Sequence, residues 1–512
     1  MNRPFFNVLT EPWIPVIRLD GSRDELGILS CLEQAHELRE VRDPAPIIEF
    51  GLYRLLVAFV LDALILANRR PEDPLDLKAF MDGDRFDSRL IENYIKECGD
   101  VFDLFHPERP FLQTKMDKAK TKPLAGMFPV APSGTNVNHW HHEHEDDLIV
   151  PCQVAVRLLT TIAPFMTAGG AGLSPSINGA PAIYALPMGK NLFETIVLNI
   201  PLRNQDSGDG VTAWRSKRSP GEERSQATTV EALTWRPRQI QLVPELGNDT
   251  SVSVREMKFE KGDSTGLTWI DAGLGYRYDK DKVTPIRMRE NRPLWRDAGP
   301  LLLLNELEHG RDKTKVSFRR PDVVEQAFAL TDVGERLVIQ IYGMRTDMKM
   351  KVFEWAKSAW SMPSNLGRST RLGSLVHREL ELADSAARWL RFAILALAPE
   401  FEREERKPPG KRKAWDKRSI RNLADRCERA YWQHLEFSFH PLMKAFAALD
   451  PNAPDDPSLI ATTARDWRKS IRRLAIEQFE VLAEDMDADS DALERRVRAR
   501  TRLNNNFRKV LL

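Results

Sequence analysis

The sequence predicts an α+β protein, with a large irregular mixed N-terminal domain followed by a C-terminal four-helix bundle. Up to about residue 370, short apolar segments are broken by frequent Gly and Pro, the texture of mixed helix and strand with long loops. Beyond that point, stretches rich in Leu, Ala, Arg and Glu repeat apolar residues at helical spacing. The separators there, PPGKRK, HPLMK and DPNAPDDP, are short and contain Pro, as connections between antiparallel helices sharing a core do. A chain of 512 residues exceeds the usual reach of one hydrophobic core, so two or three domains are expected, with residues 1–370 and 371–512 as the main division.

Taken in order, the N-terminus MNRPFFNVLTEPW lacks the apolar core and small-residue cleavage site of a signal peptide, so a cytoplasmic location is expected. Trp13 and Phe111 have the character of core anchors. Leu55 to Ala67 is the most apolar stretch; Asp62 interrupts it and it is too short for a bilayer of roughly 30 Å, which predicts a buried helix. Arg203 to Val230 is polar and rich in Ser, Gly and Arg, and is expected to be a mobile surface loop. Leu337 to Tyr342 and Lys351 to Trp355 read as two strands joined by GMRTDMKM, a hairpin with a basic, protruding tip.

The helical part opens with Leu375 to Leu397, where Leu382, Ala386, Leu390 and Ile394 share one stripe before Pro399. Helices over Arg418 to Phe439, Pro441 to Leu449, Leu459 to Met486 and Asp491 to Val510 follow. The four cysteines, Cys31, Cys98, Cys152 and Cys427, are scattered with no CxxC pair, which predicts reduced core residues rather than a zinc ribbon or redox site.

Apolar residues at 42% and charged residues at 29% suit a soluble globular chain and exclude wholesale disorder. A net charge of +1 excludes a uniformly basic nucleic-acid binder, but the charge is uneven. Residues 401–512 hold 24 Lys and Arg against 19 Asp and Glu, out of totals of 75 and 74. Two concentrations stand out: Lys407, Lys411, Arg412, Lys413, Lys417, Arg418 and Arg421, then Arg495, Arg496, Arg498, Arg500, Arg502, Arg508 and Lys509. Either can track phosphates, and either can equally be a solvated helix face.

His142, His144 and Asp146, within NHWHHEHEDD, match the HxHxD opening of a di-metal hydrolase motif. The match stops at Asp147, where such hydrolases carry a second histidine, and APSGTNVN precedes it in place of a buried strand. A polar loop without metal is the expectation, with a metal-dependent nuclease using His139 to Asp147 as the alternative. The chain has no GxxxxGK[ST], GxGxxG or HExxH motif, so a protein without catalytic residues or cofactor is expected. In Ala168, Gly169, Gly170, Ala171 and Gly172, small residues permit close backbone approach and leave N–H groups to donate; a plain flexible turn reads the same way.

These pieces together resemble the CasA family, the large subunits of type I-E CRISPR Cascade complexes. The resemblance starts at LTEPWIPV (Leu9 to Val16) and continues through RPFLQTK (Arg109 to Lys115), SGTN (Ser133 to Asn136), the glycine-rich loop, REMKF around Lys258, the GMRTD hairpin and the helical C-terminus. It implies a non-catalytic subunit of an RNA-guided assembly, in which guide RNA reads the target and this protein inspects the short protospacer-adjacent motif (PAM) beside it.

The resemblance further implies that a glycine loop (Gly169, Gly170, Ala171, Gly172), a lysine finger (Lys258) and a hairpin wedge (Thr346, Asp347, Met348) meet the PAM duplex from the minor groove. That groove's degenerate pattern suits tolerant recognition. Family members often carry Gln at the wedge, so Asp347 and Met348 imply apolar insertion here. Asn136 and Asn138 fall on a loop that in the family reaches towards the guide RNA 5′ handle and a backbone subunit. The helical bundle is implied to pack beside small subunits, help hold the displaced strand and help recruit a helicase-nuclease. Lys411, Arg412, Lys413, Lys417, Arg418, Arg495, Arg496 and Arg498 are its candidate phosphate contacts. No membrane partner is implied. A free-standing helical adaptor is the remaining alternative class.

Overall fold

The computed structural model describes residues 3–124, 149–168, 172–203, 208–247, 251–266, 269–279, 282–289, 293–303, 316–346, 352–398, 418–484 and 489–511. The chain divides into two compact units, Met1–Met288 with Glu308–Asp332 and Arg336–Ser361, and Arg289–Leu307 with Val333–Glu335 and Met362–Leu512. Among the described residues no helix is long and apolar enough to cross a membrane. The fold is mixed helix and sheet with a helical C-terminal part, as the sequence predicts.

In the first unit, β1 (Ile14–Arg18), β2 (Arg23–Leu26) and β3 (Leu38–Val41) form an antiparallel sheet in the order β2-β1-β3. Trp13 is fully buried beside it and its indole N–H donates to the Val8 carbonyl at 2.8 Å. Phe111 is also fully buried, so both expected anchors belong to the core.

Helix α1 (Pro46–Leu66) begins with Pro at a position where the missing N–H costs nothing. It is apolar nearly all round and buried along most of its length, so its three buried charges need partners. Glu49 accepts from Tyr342 at 2.6 Å and pairs with Lys357. Arg54 donates to the Leu233 carbonyl at 3.0 Å and to Asp271 at 2.8 Å. Burial pushes the Asp271 carboxyl up, but the Arg54 charge and the donated hydrogen bonds outweigh it and hold Asp271 below the ordinary value. Asp62 accepts from Tyr94 on α2 (Ser88–Cys98) at 2.7 Å, from Thr212 at 2.7 Å and from Arg215 at 2.6 Å.

Those last hydrogen bonds correct one expectation. The polar segment 203–230 is not a mobile surface loop where the structure describes it: Thr212 and Trp214 are buried, and the Trp214 indole donates to Tyr94 at 2.8 Å. Three of its polar side chains are taken up by buried acids, Thr212 and Arg215 by Asp62 and Arg218 by Asp263. Composition alone cannot distinguish such groups from solvated ones.

Beyond β4 (Thr121–Pro123) and β5 (Val150–Pro151), α3 (Cys152–Thr160) packs on α1. At their crossing a Cβ on Gly51 would lie 2.5 Å from the Thr160 hydroxyl, so only glycine allows the approach. Strands β6 (Tyr184–Met188), β7 (Arg238–Leu246), β8 (Val252–Lys261), β9 (Arg336–Thr346) and β10 (Val352–Pro363) complete the elements that matter for the site. Strands β4, β5 and β7 all pair with β8, while β10, β9 and β6 form a second sheet in that order. Both sheets bury side chains in one core, where Val254 and Met257 of the first join Tyr342 and Met344 of the second.

The second unit is dominated by α4 (Thr370–Leu395), α5 (Arg418–Ala447), α6 (Arg465–Glu484) and α7 (Ser490–Leu511), with α4 packed against the other three. The Ser369 side chain caps α4 by accepting from Leu372 N–H. Ala386, Leu390 and Ile394 are buried on the predicted stripe. The break expected before Pro441 is absent: α5 continues through it. Proline removes one main-chain bond, yet Leu435, Phe439, Leu442, Met443 and Phe446 keep a single buried face across it, and that packing outweighs the loss. Ahead of α6, the expected helix from Leu459 is split, with Pro457–Thr463 forming a separate short helix.

Candidate nucleic-acid interface

Lys258 lies on β8, the strand on which the first sheet is built. The segment VSVREMKFEK contains a bulge, because Val243 of β7 faces Glu256 while the next residue, Pro244, faces Val254. Arg255 is therefore the extra residue, and the inside–outside alternation slips by one. Val254 and Met257 both reach the core, and Lys258 is left on the other face, half-buried, with Thr121 of β4 and Gln241 of β7 as its cross-strand neighbours.

The Lys258 ammonium donates to the Met116 carbonyl at 2.8 Å, and the Met116 N–H donates to the Gln241 side-chain oxygen at 2.9 Å. Two neighbouring side chains thus hold both main-chain groups of one residue. An ammonium has three donors, so anchoring at Met116 leaves two for another acceptor. Segment 115–122, tied down by this grip and by the pairing of β4, exposes Lys115, Lys118, Lys120 and Lys122. Lys115 pairs with Glu108 at 2.7 Å, and the Lys122 ammonium sits 4.1 Å from the Phe259 ring centroid. Neither Lys118 nor Lys120 has an ion-pair partner among the described residues. Sequence reasoning passed over this lysine run; its spacing in KMDKAKTK was the available signal, but nothing local ties it to Lys258.

Of the predicted glycine loop, Gly169, Gly170 and Ala171 lie outside the described residues. Gly172 is exposed, with φ +79°, and a Cβ there would meet nothing within 4 Å, so conformation rather than space favours glycine. Arg238 ties the two sides of this loop together: its guanidinium donates to the Thr167 carbonyl at 2.8 Å and to the Ser174 carbonyl. Burial pushes the Arg238 guanidinium down to about 10. Arg238 begins β7 and faces Lys261 of β8. Lys258 is three residues further along that strand, roughly 10 Å at strand rise. One buried arginine thus links the glycine loop to the lysine strand, and no sequence motif announces it.

Strands β9 and β10 are hydrogen-bonded neighbours separated by residues 347–351, so the predicted hairpin exists and its strands are longer than expected. Thr346 ends β9 and is half-buried. Asp347 and Met348 lie outside the described residues, as do Asn136, Asn138 and the whole His139–Asp147 loop. Among the described residues no group of three His, Cys, Asp or Glu side chains is placed to hold a metal ion.

In the second unit, Lys411, Arg412, Lys413 and Lys417 also fall outside the described residues, and Arg418 is the first residue of α5. The three α7 arginines of the predicted phosphate contacts are engaged within the unit. Arg495 donates to the Leu397 carbonyl at 3.1 Å, Arg496 pairs with Glu480 at 2.8 Å, and Arg498 pairs with Glu494. None of the three is buried.

A family model described as CRISPR-associated protein Cse1 matches residues 7–478. The CRISPR-associated protein CasA/Cse1 of Thermus thermophilus is 27% identical over 502 residues, spanning 93% of this chain and 91% of that protein. Among solved structures, Thermus thermophilus CasA (Cse1) aligns with a TM-score of 0.73 at 22% identity, over 99% of each chain. Cse1 from Acidimicrobium ferrooxidans aligns at 0.74 and 20% identity, over 100% of this chain and 99% of that one. A chain of a CRISPR RNA-guided surveillance complex aligns at 0.74 and 20%, over 98% and 99%. These structural likenesses establish the fold.

Proposed function

The chain belongs to the CRISPR-associated Cse1 family, and from that premise we propose that it is the large subunit of an RNA-guided Cascade surveillance complex that reads the PAM of double-stranded DNA without catalysing a reaction. The observation that carries this reading is the linkage through Arg238, which holds the Thr167 and Ser174 carbonyls on either side of the glycine-rich segment from the strand paired with that of Lys258. In a minor groove the accessible groups are mostly acceptors on base edges. A lysine held by one bond to Met116 retains donors for them, and its anchoring lowers the entropy lost on binding.

The exposed lysines Lys118, Lys120 and Lys122 supply sequence-independent attraction to the flanking phosphates. The hairpin of β9 and β10, ending at Thr346, Asp347 and Met348, begins strand separation beside the PAM. The helical unit supports the opened state through its basic residues and helps recruit the helicase-nuclease. Other Cascade subunits and the 5′ handle of the guide RNA are the remaining partners, in the cytoplasm.

The test is duplex binding by the reconstituted complex carrying the natural protein or Lys258→Ala, titrated over salt, with a duplex lacking the PAM as control. Loss of PAM preference in the variant alone supports Lys258 as a reader. Equal PAM preference in both proteins removes that role, and no preference even with the natural protein overturns the assignment.

A further inference from the structure

On β10, the strand that leaves the proposed wedge, Phe353 is 51% exposed and Trp355 is 39% exposed. They stand two residues apart and so share a strand face. Further along the same face, Lys357 is held by the buried carboxylate of Glu49 on α1. The face is thus anchored in the core at Lys357 and emerges towards the hairpin tip, where it carries two aromatic rings instead of polar residues. Arg345, from the partner strand β9, lies over the Phe353 ring at 4.8 Å, and its guanidinium is also 3.4 Å from Glu354. Large apolar groups in open solvent need a covering partner, particularly on a strand at the edge of its sheet.

We propose that Phe353 and Trp355 form a stacking platform for nucleobases that become unpaired beside the hairpin. The proposal rests on the PAM-reading function above and adds the element that holds the separated strand. Rings at alternate positions of a strand lie about 6.7 Å apart, close to twice the rise between stacked bases, so a base fits between them or over each. Aromatic side chains beside a guanidinium are the means by which single strands are bound without sequence preference. A peptide adding to the edge of β10 would use main-chain groups and would leave this aromatic face uncovered.

The experiment uses the reconstituted complex with Phe353→Ala/Trp355→Ala and with the aromatic replacement Phe353→Tyr/Trp355→Phe. Three quantities are measured: incorporation of the subunit, binding to a PAM duplex without complementarity to the guide, and opening of a matched target followed by permanganate reactivity of thymines next to the PAM. The alanine variant is expected to assemble and bind PAM duplex normally while its opening rate falls at least tenfold, and the aromatic variant is expected to keep most of that rate. Unchanged opening in the alanine variant overturns the stacking role and leaves the PAM reading intact. Failure of the alanine variant to assemble would identify the face as a protein contact and overturn it as well. Absence of PAM-dependent opening with the natural protein would remove the underlying function, and this inference with it.

Discussion

The Lys258 ammonium and the Met116 main-chain carbonyl are 2.8 Å apart, so the residue proposed to read DNA also holds the neighbouring lysine-rich segment in place. The two roles are separable because Gln241 grips Met116 from the other side without carrying charge. Lys258→Ala and Gln241→Ala are each expected to cost about 1 kcal/mol of stability, the usual net value of one hydrogen bond. Only Lys258→Ala should lose PAM preference. Denaturant unfolding and duplex binding of both variants check this, and loss of PAM preference by Gln241→Ala to the same degree would show that segment placement, not the ammonium, is responsible.

Lys118, Lys120 and Lys122 are exposed on the segment that Lys258 anchors. Replacing all three with Ala should weaken duplex binding uniformly across sequences. It should also reduce the slope of log K against log salt by about 2–3, close to one unit for each phosphate no longer neutralised. Binding isotherms at four or more salt concentrations measure the slope; a weakening confined to PAM-bearing duplexes would contradict a purely electrostatic role.

Asp263 is buried, and burial raises its carboxyl. The Arg218 hydrogen bond and charge and the Gly221 N–H outweigh this and hold it below the ordinary value. Asp271 is held low in the same sense by Arg54. A carboxyl with a lower folded than unfolded value is protonated first in the unfolded chain, so stability falls as pH drops from about 4 through the folded value. Urea midpoints are expected to fall as pH drops from about 4.5 to about 2.5, with a smaller fall in Asp263→Asn. An equally steep acid limb in that variant would exclude Asp263 as a contributor.

All four cysteines are buried and free, and burial pushes Cys31 and Cys152 up to about 12 and Cys98 to about 11. Since the thiolate is the reactive form, a disulfide-exchange reagent at pH 8 should find no fast-reacting thiol in the folded protein and four after denaturation. A fast thiol in the native state would place one of them at the surface.

Much of this protein was legible before folding because the signals are local. The helical period of Leu375 to Leu397 and the apolar run around Leu55 to Ala67 each reduce to which residues lie on one face of one element, and both helices form as expected. Lys258 and the two hairpin segments fall on strands where short motifs put them, whereas Gly169, Gly170, Ala171, Asp347 and Met348 lie outside the described residues. Pro441 shows the limit of local signals, since its helix-breaking tendency was real and the buried face of α5 overrode it.

What the sequence by itself determined was the class of fold and the helical character of its C-terminal part, since these depend on neighbours within a turn or two of chain. Only the tertiary structure decided which groups meet. Lys258 and Met116 are 142 residues apart, Arg238 and Thr167 are 71 apart, and Thr212 reaches back 150 residues to Asp62. Trp295 likewise packs 5.4 Å from Trp432, far along the chain in a different element. Hydrogen bonds and ion pairs act over a few ångströms and carry no trace in sequence spacing. Their partners are set by how the whole core closes, and a polar residue such as Thr212 reads as solvated until that closure places a buried carboxylate beside it.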